Sequence, residues 1–168
     1  MAASSINHVS VNATDLEASV AFYADLLGAE PILTPNFGFP VQWLRIGDSQ
    51  LHLFQRDVEP PTHHHFAVTV EDLEPVFKRA GELGIFDRDT FGHHIIELPG
   101  DCAQTYVRDP SGNLMEIDTP GAGRLPESVR AEMRPLADFN PQSDDNRAAR
   151  LYVGEDRREV APVASSSS

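Results

Sequence analysis

HVSVNATDLEASVAFYADLLG, residues 8–28, and HFAVTVEDLEPVFKRAGELG, residues 65–84, are two copies of one sequence pattern. Each copy begins at a histidine, reaches Asp-Leu-Glu seven residues later and ends at a glycine. Self-similarity between two separate segments of one chain indicates a fold assembled from duplicated structural units. The sequence on either side of the two copies must therefore be read as parts of the same repeated unit.

Each copy begins with a predicted strand. Val9 and Val11 alternate with His8 and Ser10, and the second copy repeats this alternation from His65. A period of two predicts a strand with one apolar face, because successive side chains point to opposite sides. The histidine of each copy then lies on the smaller, more polar face.

A helix is predicted after each of these strands. Thr14 with Glu17 fits a capping box in the first copy, and Asp72 is suited to cap the second helix. Apolar residues follow at helical spacing in both copies. Gly28 and Gly84 suit the left-handed conformation that ends many helices.

Strand-like segments follow each predicted helix and are separated by turn-forming residues. They lie near residue 32 and at about 41–46 and 50–55 in the first half, and at about 94–98, 102–107 and 114–118 in the second. Each half therefore reads β-α-β-β-β. We predict an α+β fold in which two tandem units, at about 5–57 and 62–120, form one curved mixed sheet around a cleft, with the helices outside.

The chain changes character after the glycine-rich TPGAG segment at residues 119–123. Seven of the thirteen Lys and Arg residues lie from Arg124 onward, together with several prolines. We therefore predict one domain over residues 1–123 and a C-terminal extension over residues 124–168. The extension is expected to contain a short helix within RLPESVRAEMRPLADF and to end in a disordered tail, VAPVASSSS.

Composition narrows the class of protein. The formal net charge of −13 over 168 residues argues against binding nucleic acid through a basic face. No apolar run is long enough to span a membrane, and the N-terminus lacks the features of a signal peptide. The single cysteine, Cys102, excludes an internal disulfide, so we expect a cytoplasmic protein.

The tandem units, the matched His8 and His65, and the segment YVRDPSGNLMEI at residues 106–117 together resemble the vicinal oxygen chelate superfamily. The resemblance covers about residues 5–120. That superfamily includes glyoxalase I, extradiol dioxygenases, fosfomycin-resistance transferases and methylmalonyl-CoA epimerase. The resemblance implies a divalent-metal site with His8, His65 and Glu116 as ligands. Two histidines and one carboxylate suit Fe(II), and Zn, Ni, Co or Mn could use the same donors.

The strand pattern supports Glu116 as a ligand. Met115 and Ile117 are predicted to point to the apolar face, which leaves Glu116 on the opposite face. A buried carboxylate without a partner is costly, so a cation is expected beside it. His52 occupies the corresponding place in the first half, as a fourth ligand, an acid or base beside the metal, or a packed histidine. His63 and His64 precede the strand and read as loop residues.

The resemblance leads us to predict an Fe(II)-dependent extradiol-type dioxygenase that cleaves a catechol-like aromatic substrate with O₂. Tyr106 lies at the offset from Glu116 at which such dioxygenases place a tyrosine over the bound catechol, and His52 or His94 is expected to help move protons. The runner-up is a glyoxalase-like lyase or an epimerase with Ni, Zn or Co. A metal-free drug-binding protein is a third reading. A thiol transferase is a fourth, weakened because Lys78 is the chain's sole lysine. A homodimer acting on a small molecule is expected.

Overall fold

The computed structural model describes residues 5–151 and 153. The first unit contains β1 (His8–Ala13), α1 (Leu16–Leu27), β2 (Glu30–Ile32), β3 (Val41–Ile46) and β4 (Ser49–Gln55). The second unit contains β5 (His65–Thr69), α2 (Leu73–Leu83), β6 (Ile95–Leu98), β7 (Cys102–Arg108) and β8 (Leu114–Pro120). The extension contains α3 (Glu127–Arg130), β9 (Arg134–Pro135), α4 (Asp144–Ala148) and two short 3-10 helices at Ala122–Arg124 and Leu136–Asp138. The predicted β-α-β-β-β order of both units is confirmed.

The strands form two mixed sheets, ordered β1-β4-β3-β2 and β5-β8-β7-β6-β9. In each unit the first strand pairs in parallel with the last, and the remaining pairs within the unit are antiparallel. The predicted α+β class, with repeated units and outer helices, is confirmed. The expectation of one continuous sheet is corrected, because β1 and β5 each end their own sheet and are not hydrogen-bonded to each other.

The helix ends follow the sequence signals with one correction. Asp15, rather than the predicted Thr14, caps α1 by accepting a hydrogen bond from the Ala18 amide. Thr14 instead contacts Ser111 of the second unit through both its amide and its hydroxyl. Gly28 ends α1 with a φ of 64°, a left-handed conformation that glycine adopts without steric cost. The second unit ends α2 in the same way.

Both units contribute to one hydrophobic core between the helices and the apolar faces of the sheets. Leu51 and Leu53 of β4 and Met115 and Ile117 of β8 are fully buried there. Burial on this side fixes the register, because a slip of one residue would move every apolar side chain to the wrong face. The opposite faces, which carry His8 and His65, are therefore directed away from this core.

A buried and a part-buried polar contact connect the units. The Tyr23 hydroxyl donates to Asp109 Oδ2 at 2.8 Å, and Asn113 Nδ2 donates to the carbonyl oxygen of Asn12 at 2.7 Å. Burial and the Asp109 charge both raise the pKa of Tyr23, which keeps its hydroxyl protonated as a donor. The DPSGN turn at residues 109–113 thus holds the second unit against the first.

The extension packs on the second unit. Its strand β9 pairs in parallel with β6, and Val129 of α3 is buried in the core. Leu136 and Phe139 pack against a small cluster around Ile96. The predicted disordered tail at residues 160–168 lies outside the described residues. No helix in the described part of the chain is long and apolar enough to cross a membrane.

Candidate metal centre

The two units carry equivalent positions on the faces directed away from the core. His52 on β4 lies opposite Ser10, two residues after His8, and Glu116 on β8 lies opposite Ala67, two residues after His65. The pairing register thus makes His52 and Glu116 counterparts. This register agrees with the sequence reading in which His52 occupies, in the first unit, the place that Glu116 has in the second.

The same register defines further equivalent pairs across the central strands. These pairs are Trp43 with Tyr106, Phe54 with Asp118, and Val41 with Gln104. We call His8, Trp43, His52 and Phe54 the N-terminal half-site. We call His65, Gln104, Tyr106, Glu116 and Asp118 the C-terminal half-site.

The C-terminal half-site brings two metal-type donor atoms together. His65 Nε2 and Glu116 Oε2 are 3.4 Å apart, and the Glu116 side chain is only 8% exposed. Two donors that share one zinc-like ion at about 2.1 Å each are about 3.0–3.4 Å apart. The separation therefore fits two neighbouring ligands of one divalent ion, as well as a direct ion pair.

Both groups are held by contacts on their other atoms. His65 Nδ1 donates to the carbonyl oxygen of His63 at 2.9 Å, which leaves Nε2 with its lone pair. Gln104 Nε2 donates to Glu116 Oε1 at 2.7 Å, which leaves Oε2 free. The Tyr106 hydroxyl in turn donates to Gln104 Oε1 at 3.0 Å. Such outer contacts are how proteins orient metal ligands before the ion binds.

Asp118 adds a second carboxyl group to this half-site. The residue is 2% exposed, and its Oδ1 has no hydrogen-bond partner among residues 5–151 and 153. Burial, together with the neighbouring Glu116 carboxylate, raises the pKa of Asp118 to about 8. Burial and the charge of Glu116 also raise the pKa of Tyr106, so its hydroxyl remains a donor near neutral pH.

The N-terminal half-site is built from rings. His52 lies between His8 and Trp43, with ring centroids 4.3 and 4.2 Å away and nearly parallel planes. His52 Nε2 contacts Gln50 Oε1 at 2.9 Å, and His8 Nδ1 contacts the Asn7 side chain. Because both oxygens only accept, each imidazole keeps one nitrogen with a free lone pair. Burial, and then the nearby His8, lower the pKa of His52, which favours the neutral ring that binds metal.

The aromatic character extends beyond the equivalent positions. Phe37 lies 6.0 Å from Trp43 and 6.3 Å from Phe54, and Phe39 lies 6.0 Å from Phe54, between ring centroids. Phe37 is 44% exposed, whereas Trp43, Phe39 and Phe54 are partly buried. These four rings form one surface, which we call the aromatic wall.

The two half-sites do not merge within one chain. No group of three or more His, Cys, Asp or Glu side chains within residues 5–151 and 153 is arranged to hold a metal ion. The structure therefore brings His65 and Glu116 together and places His8 with His52, but it does not bring His8 to the other two predicted ligands. A groove of about 270 Å³ separates β1 from the strand that carries His65.

His94 lies elsewhere than the sequence prediction placed it. Its ring packs against Phe77 and Phe86 on the helix side of the second sheet, 1% exposed. Nδ1 accepts from Arg88 at 2.8 Å, and Nε2 donates to Glu132 of the extension at 3.0 Å. Because His94 precedes β6, strand alternation does not fix its direction. Its contacts give it a role in packing rather than at the metal centre.

Gln104 and Asp118 are the residues that sequence reasoning missed. Both lie on strands that alternation predicted correctly, and both share a face with Glu116. Their alternation with Thr105 and Ile117 was therefore an available signal. Cys102 is buried, as expected, and burial raises the pKa of its thiol to about 12, which makes it a poor nucleophile.

Comparison with known proteins identifies the family. Residues 5–117 match the model of the Glyoxalase/Bleomycin resistance protein/Dioxygenase superfamily. The chain belongs to this superfamily. The match covers both units and ends within β8, just before the C-terminal extension. It agrees with the resemblance to the vicinal oxygen chelate superfamily noted from the sequence.

Individual relatives within the superfamily have several activities. Glutathione transferase FosA of Serratia marcescens is 31% identical over 121 residues, which cover 67% of this chain and 79% of that protein. Glyoxylase I 4 of Arabidopsis thaliana is 28% identical over 124 residues, covering 67% and 69%. The structure of lactoylglutathione lyase from Agrobacterium tumefaciens has a TM-score of 0.54 and 25% identity, covering 73% of this chain and 98% of that one. These relatives are thus named for a transferase, a glyoxylase and a lyase.

Proposed function

We propose that this protein is a divalent-metal-dependent enzyme with lyase- or isomerase-type chemistry on a small oxygen-bearing substrate. His65, Glu116 and His8 are its metal ligands, and His52 is the fourth donor. The observation that carries the proposal is the convergence of His65 Nε2 and Glu116 Oε2 at 3.4 Å, each held from behind by a second contact. A purely structural ion pair does not require that both of its members be oriented by a second hydrogen bond.

We further propose that the centre forms between two copies of the chain. His8 and His52 of one copy then face His65 and Glu116 of the other. Two buried polar atoms support this arrangement: among the described residues, Trp43 Nε1 and Asp118 Oδ1 lack hydrogen-bond partners. Buried polar atoms are normally satisfied, and these two belong to different half-sites. Both faces therefore have the character of surfaces that are incomplete in a single chain.

A divalent ion held by His65 and Glu116 of one copy and His8 and His52 of the other would supply Lewis-acid chemistry at a substrate oxygen. The chain's own residues prepare that environment. Gln104 holds Glu116 so that one oxygen is directed toward His65, and Tyr106 fixes the Gln104 amide. His52, whose lowered pKa favours the neutral ring, supplies a nitrogen atom as a ligand or as a base near the substrate, and His8 lies stacked beside it.

Four protein donors favour this chemistry over O₂ activation, because ring cleavage needs open positions for both substrate and O₂. The names of the relatives, a glutathione transferase and a glyoxylase, point the same way. The Fe(II) extradiol dioxygenase predicted from sequence stays as the second candidate. The aromatic wall favours it, since aromatic rings pack well against a catechol-like substrate.

Thiol transfer to a phosphonate drug is less well supported, because phosphonate recognition needs cationic side chains. Lys78 lies on the exposed side of α2. Within the described residues, the Arg108 guanidinium donates to Asp87, Thr90 and the carbonyl oxygens of Thr62 and Gly112. Its donors are therefore committed to holding loops together.

A subunit-mixing experiment tests the metal centre. His8→Ala and Glu116→Ala proteins are each expected to lose tight Co²⁺ binding. The two proteins are then mixed, unfolded and refolded together. Each hybrid dimer regains one of its two centres, so half of the sites in the hybrids bind Co²⁺ again. If binding stays absent in hybrids that a mass measurement shows to be present, the intersubunit centre is refuted.

Two assays then separate the candidate reactions. Metal-loaded protein is incubated with the hemithioacetal of glutathione and methylglyoxal, and its loss is followed by absorbance. In parallel, Fe(II)-loaded protein is given a catechol in an oxygen electrode. Turnover of the hemithioacetal without O₂ uptake supports the lyase. O₂ consumption with ring-cleavage colour supports the dioxygenase instead.

A further inference from the structure

We propose that residues 132–139 of the C-terminal extension, which we call the crossing segment, position Glu116 by packing against the cluster that contains the Tyr106 ring. Leu136 and Phe139 are then positioning residues, which act through Tyr106 and Gln104 and do not touch the ion. This inference rests on the proposed metal centre and adds the extension to it.

The extension passes around the outer edge of the second sheet from one face to the other. Val129 lies in the hydrophobic core beneath the helices, 1% exposed. The chain then forms β9, which pairs in parallel with β6 at the sheet edge. Leu136 and Phe139 follow and pack against a separate cluster, which consists of Ile96, Tyr106 and Leu114. The crossing segment therefore reaches a part of the second unit that the core does not include.

That separate cluster lies on the face of the sheet that carries the predicted ligands. Ile96 pairs with Gln104, and Tyr106 pairs with Glu116. Paired residues and residues two apart along a strand share a face, so all four side chains point to the same side. The Tyr106 ring thus belongs to the apolar cluster under the crossing segment, while its hydroxyl belongs to the C-terminal half-site.

Two hydrogen bonds connect Tyr106 to the proposed metal ligand. The Tyr106 hydroxyl donates to Gln104 Oε1 at 3.0 Å, and Gln104 Nε2 donates to Glu116 Oε1 at 2.7 Å. The terminal torsion of a glutamine is broad, so the tyrosine hydroxyl decides which end of the amide faces Glu116. Packing that fixes the Tyr106 ring thereby helps to direct Glu116 Oε2 toward the ion.

The crossing segment is itself held against the second unit. His94 Nε2 donates to Glu132 Oε2 at 3.0 Å, and His93 Nε2 contacts the Glu132 carbonyl oxygen at 2.7 Å. The His93 ring lies 6.2 Å from the Phe139 ring, between centroids. Contacts near both ends, together with the pairing of β9, make the segment ordered enough to position its neighbours.

The added strand lies beside the half-site that contains an oriented amide. Within residues 5–151 and 153, the first sheet ends at β2, whereas the second continues past β6 to β9. The N-terminal half-site has Val41 and Trp43 where the C-terminal one has Gln104 and Tyr106, so it holds no amide in place. The extra packing therefore coincides with the half-site whose ligand depends on a side-chain amide.

Matched variants of the full-length protein test the positioning role. Leu136→Ala should weaken Co²⁺ binding about three- to tenfold, as expected for indirect coupling, and should shift the visible Co²⁺ spectrum. Leu136→Met keeps an apolar side chain of similar size and should restore both. Phe139→Leu is a milder second variant that should change affinity in the same direction.

The control removes the same atoms from the core of the first unit. Leu26→Ala should lower the urea midpoint at least as much as Leu136→Ala, because Leu26 is 5% exposed and its loss leaves a cavity. It should leave the Co²⁺ affinity and spectrum unchanged. A Leu136→Ala protein with wild-type Co²⁺ affinity and spectrum overturns the proposal, and so does a Leu26→Ala protein that matches its losses.

A double variant tests the route. Gln104→Leu removes the amide through which the crossing segment acts, so adding Leu136→Ala should cause no further loss of Co²⁺ affinity. If the two losses multiply in the double variant, the segment does not act through Gln104 and the proposal is wrong.

A measurement on metal-free protein separates this inference from the proposed metal centre. The side-chain amide signals of Gln104 in an NMR spectrum are identified by their absence from Gln104→Leu. They should move in Leu136→Ala but not in Leu26→Ala. If they move as expected and wild-type protein binds no Co²⁺, the metal centre fails while the positioning of Gln104 and Glu116 stands. If they do not move, the positioning is overturned even where Co²⁺ binds.

Discussion

The N-terminal and C-terminal half-sites occupy the same places on a duplicated scaffold but have opposite chemical character. His8 corresponds to His65 and His52 to Glu116, yet rings surround the first pair and an acid and an amide surround the second. The shared backbone fixes where side chains lie and which way they point. The chemical character of the side chains at these positions differs between the two units.

The difference also concerns how much charge each half buries. The N-terminal half-site consists mainly of stacked rings, and its one buried polar atom without a partner among the described residues is the Trp43 indole nitrogen. The C-terminal half-site buries two carboxyl groups side by side, an arrangement that a cation stabilises strongly. After duplication, one unit can thus retain an aromatic surface while the equivalent surface of the other unit carries the carboxyl groups.

The largest expected effect is loss of the ligands in the acidic half. Glu116→Ala and His65→Ala should each lower Co²⁺ affinity by more than about 100-fold, beyond the 10- to 100-fold typical of supporting residues. His52→Ala should cost only about tenfold, because His52 is the fourth donor. Calorimetric titration measures all three. Equal losses at Glu116 and His52 would mean that the two halves share the ion evenly.

Next comes the amide that orients Glu116. Gln104→Leu should weaken Co²⁺ binding by about 10- to 100-fold, since Glu116 loses the donor that directs its free oxygen. Val41→Ala, at the equivalent position in the aromatic half, is the matched control and should change affinity by less than about threefold. A visible Co²⁺ spectrum that is altered in Gln104→Leu alone would distinguish positioning from a general loss of packing.

A smaller and opposite pair of effects is expected at Asp118 and Phe54. In metal-free protein, Asp118→Asn should raise the free energy of unfolding at pH 8.5 by about 1–2 kcal/mol, because an unpartnered carboxylate is removed. The folded-state pKa of about 8 exceeds the ordinary value of 3.8, so the penalty grows as pH rises between these values. The gain should therefore vanish near pH 4.

Phe54→Leu should instead lower the free energy of unfolding by about 1 kcal/mol. Urea unfolding at both pH values checks the signs.

The smallest effect concerns the extension, which has no counterpart in the first unit. Burial, then Arg88 and His93, lower the pKa of His94 below 6.5, so the fold favours the neutral ring. Its contribution is complete above pH 6.5 and is lost as pH falls from there through the folded-state pKa. We therefore expect the free energy of unfolding to fall between pH 7.5 and 5. His94→Gln should flatten this dependence in urea unfolding, whereas His64→Gln, in an exposed loop, should not.

Much of the fold followed from the sequence because its signals are local. Alternation placed His8 and His65 on the polar faces, and helix-ending glycines marked both helices. The separation into two sheets did not follow, because apolar alternation does not specify which edge strand is the neighbour of another. His94 was misplaced for a related reason, since it precedes its strand and strand alternation does not govern it. Alternation alone put Gln104 on the same face as Tyr106, but that Gln104 contacts Glu116 follows only from the β7–β8 register, which sequence spacing leaves open.

The outermost strands of both sheets contain a proline, Pro31 in β2 and Pro135 in β9. A proline has no amide hydrogen, so each of these short outer edges lacks one backbone donor for pairing with an incoming strand. These edges should resist fibril growth at high protein concentration, even though Leu33 beside β2 is almost fully exposed. Self-association is thereby favoured at the broad faces and the inner edges, where the two half-sites lie, over the outer edges.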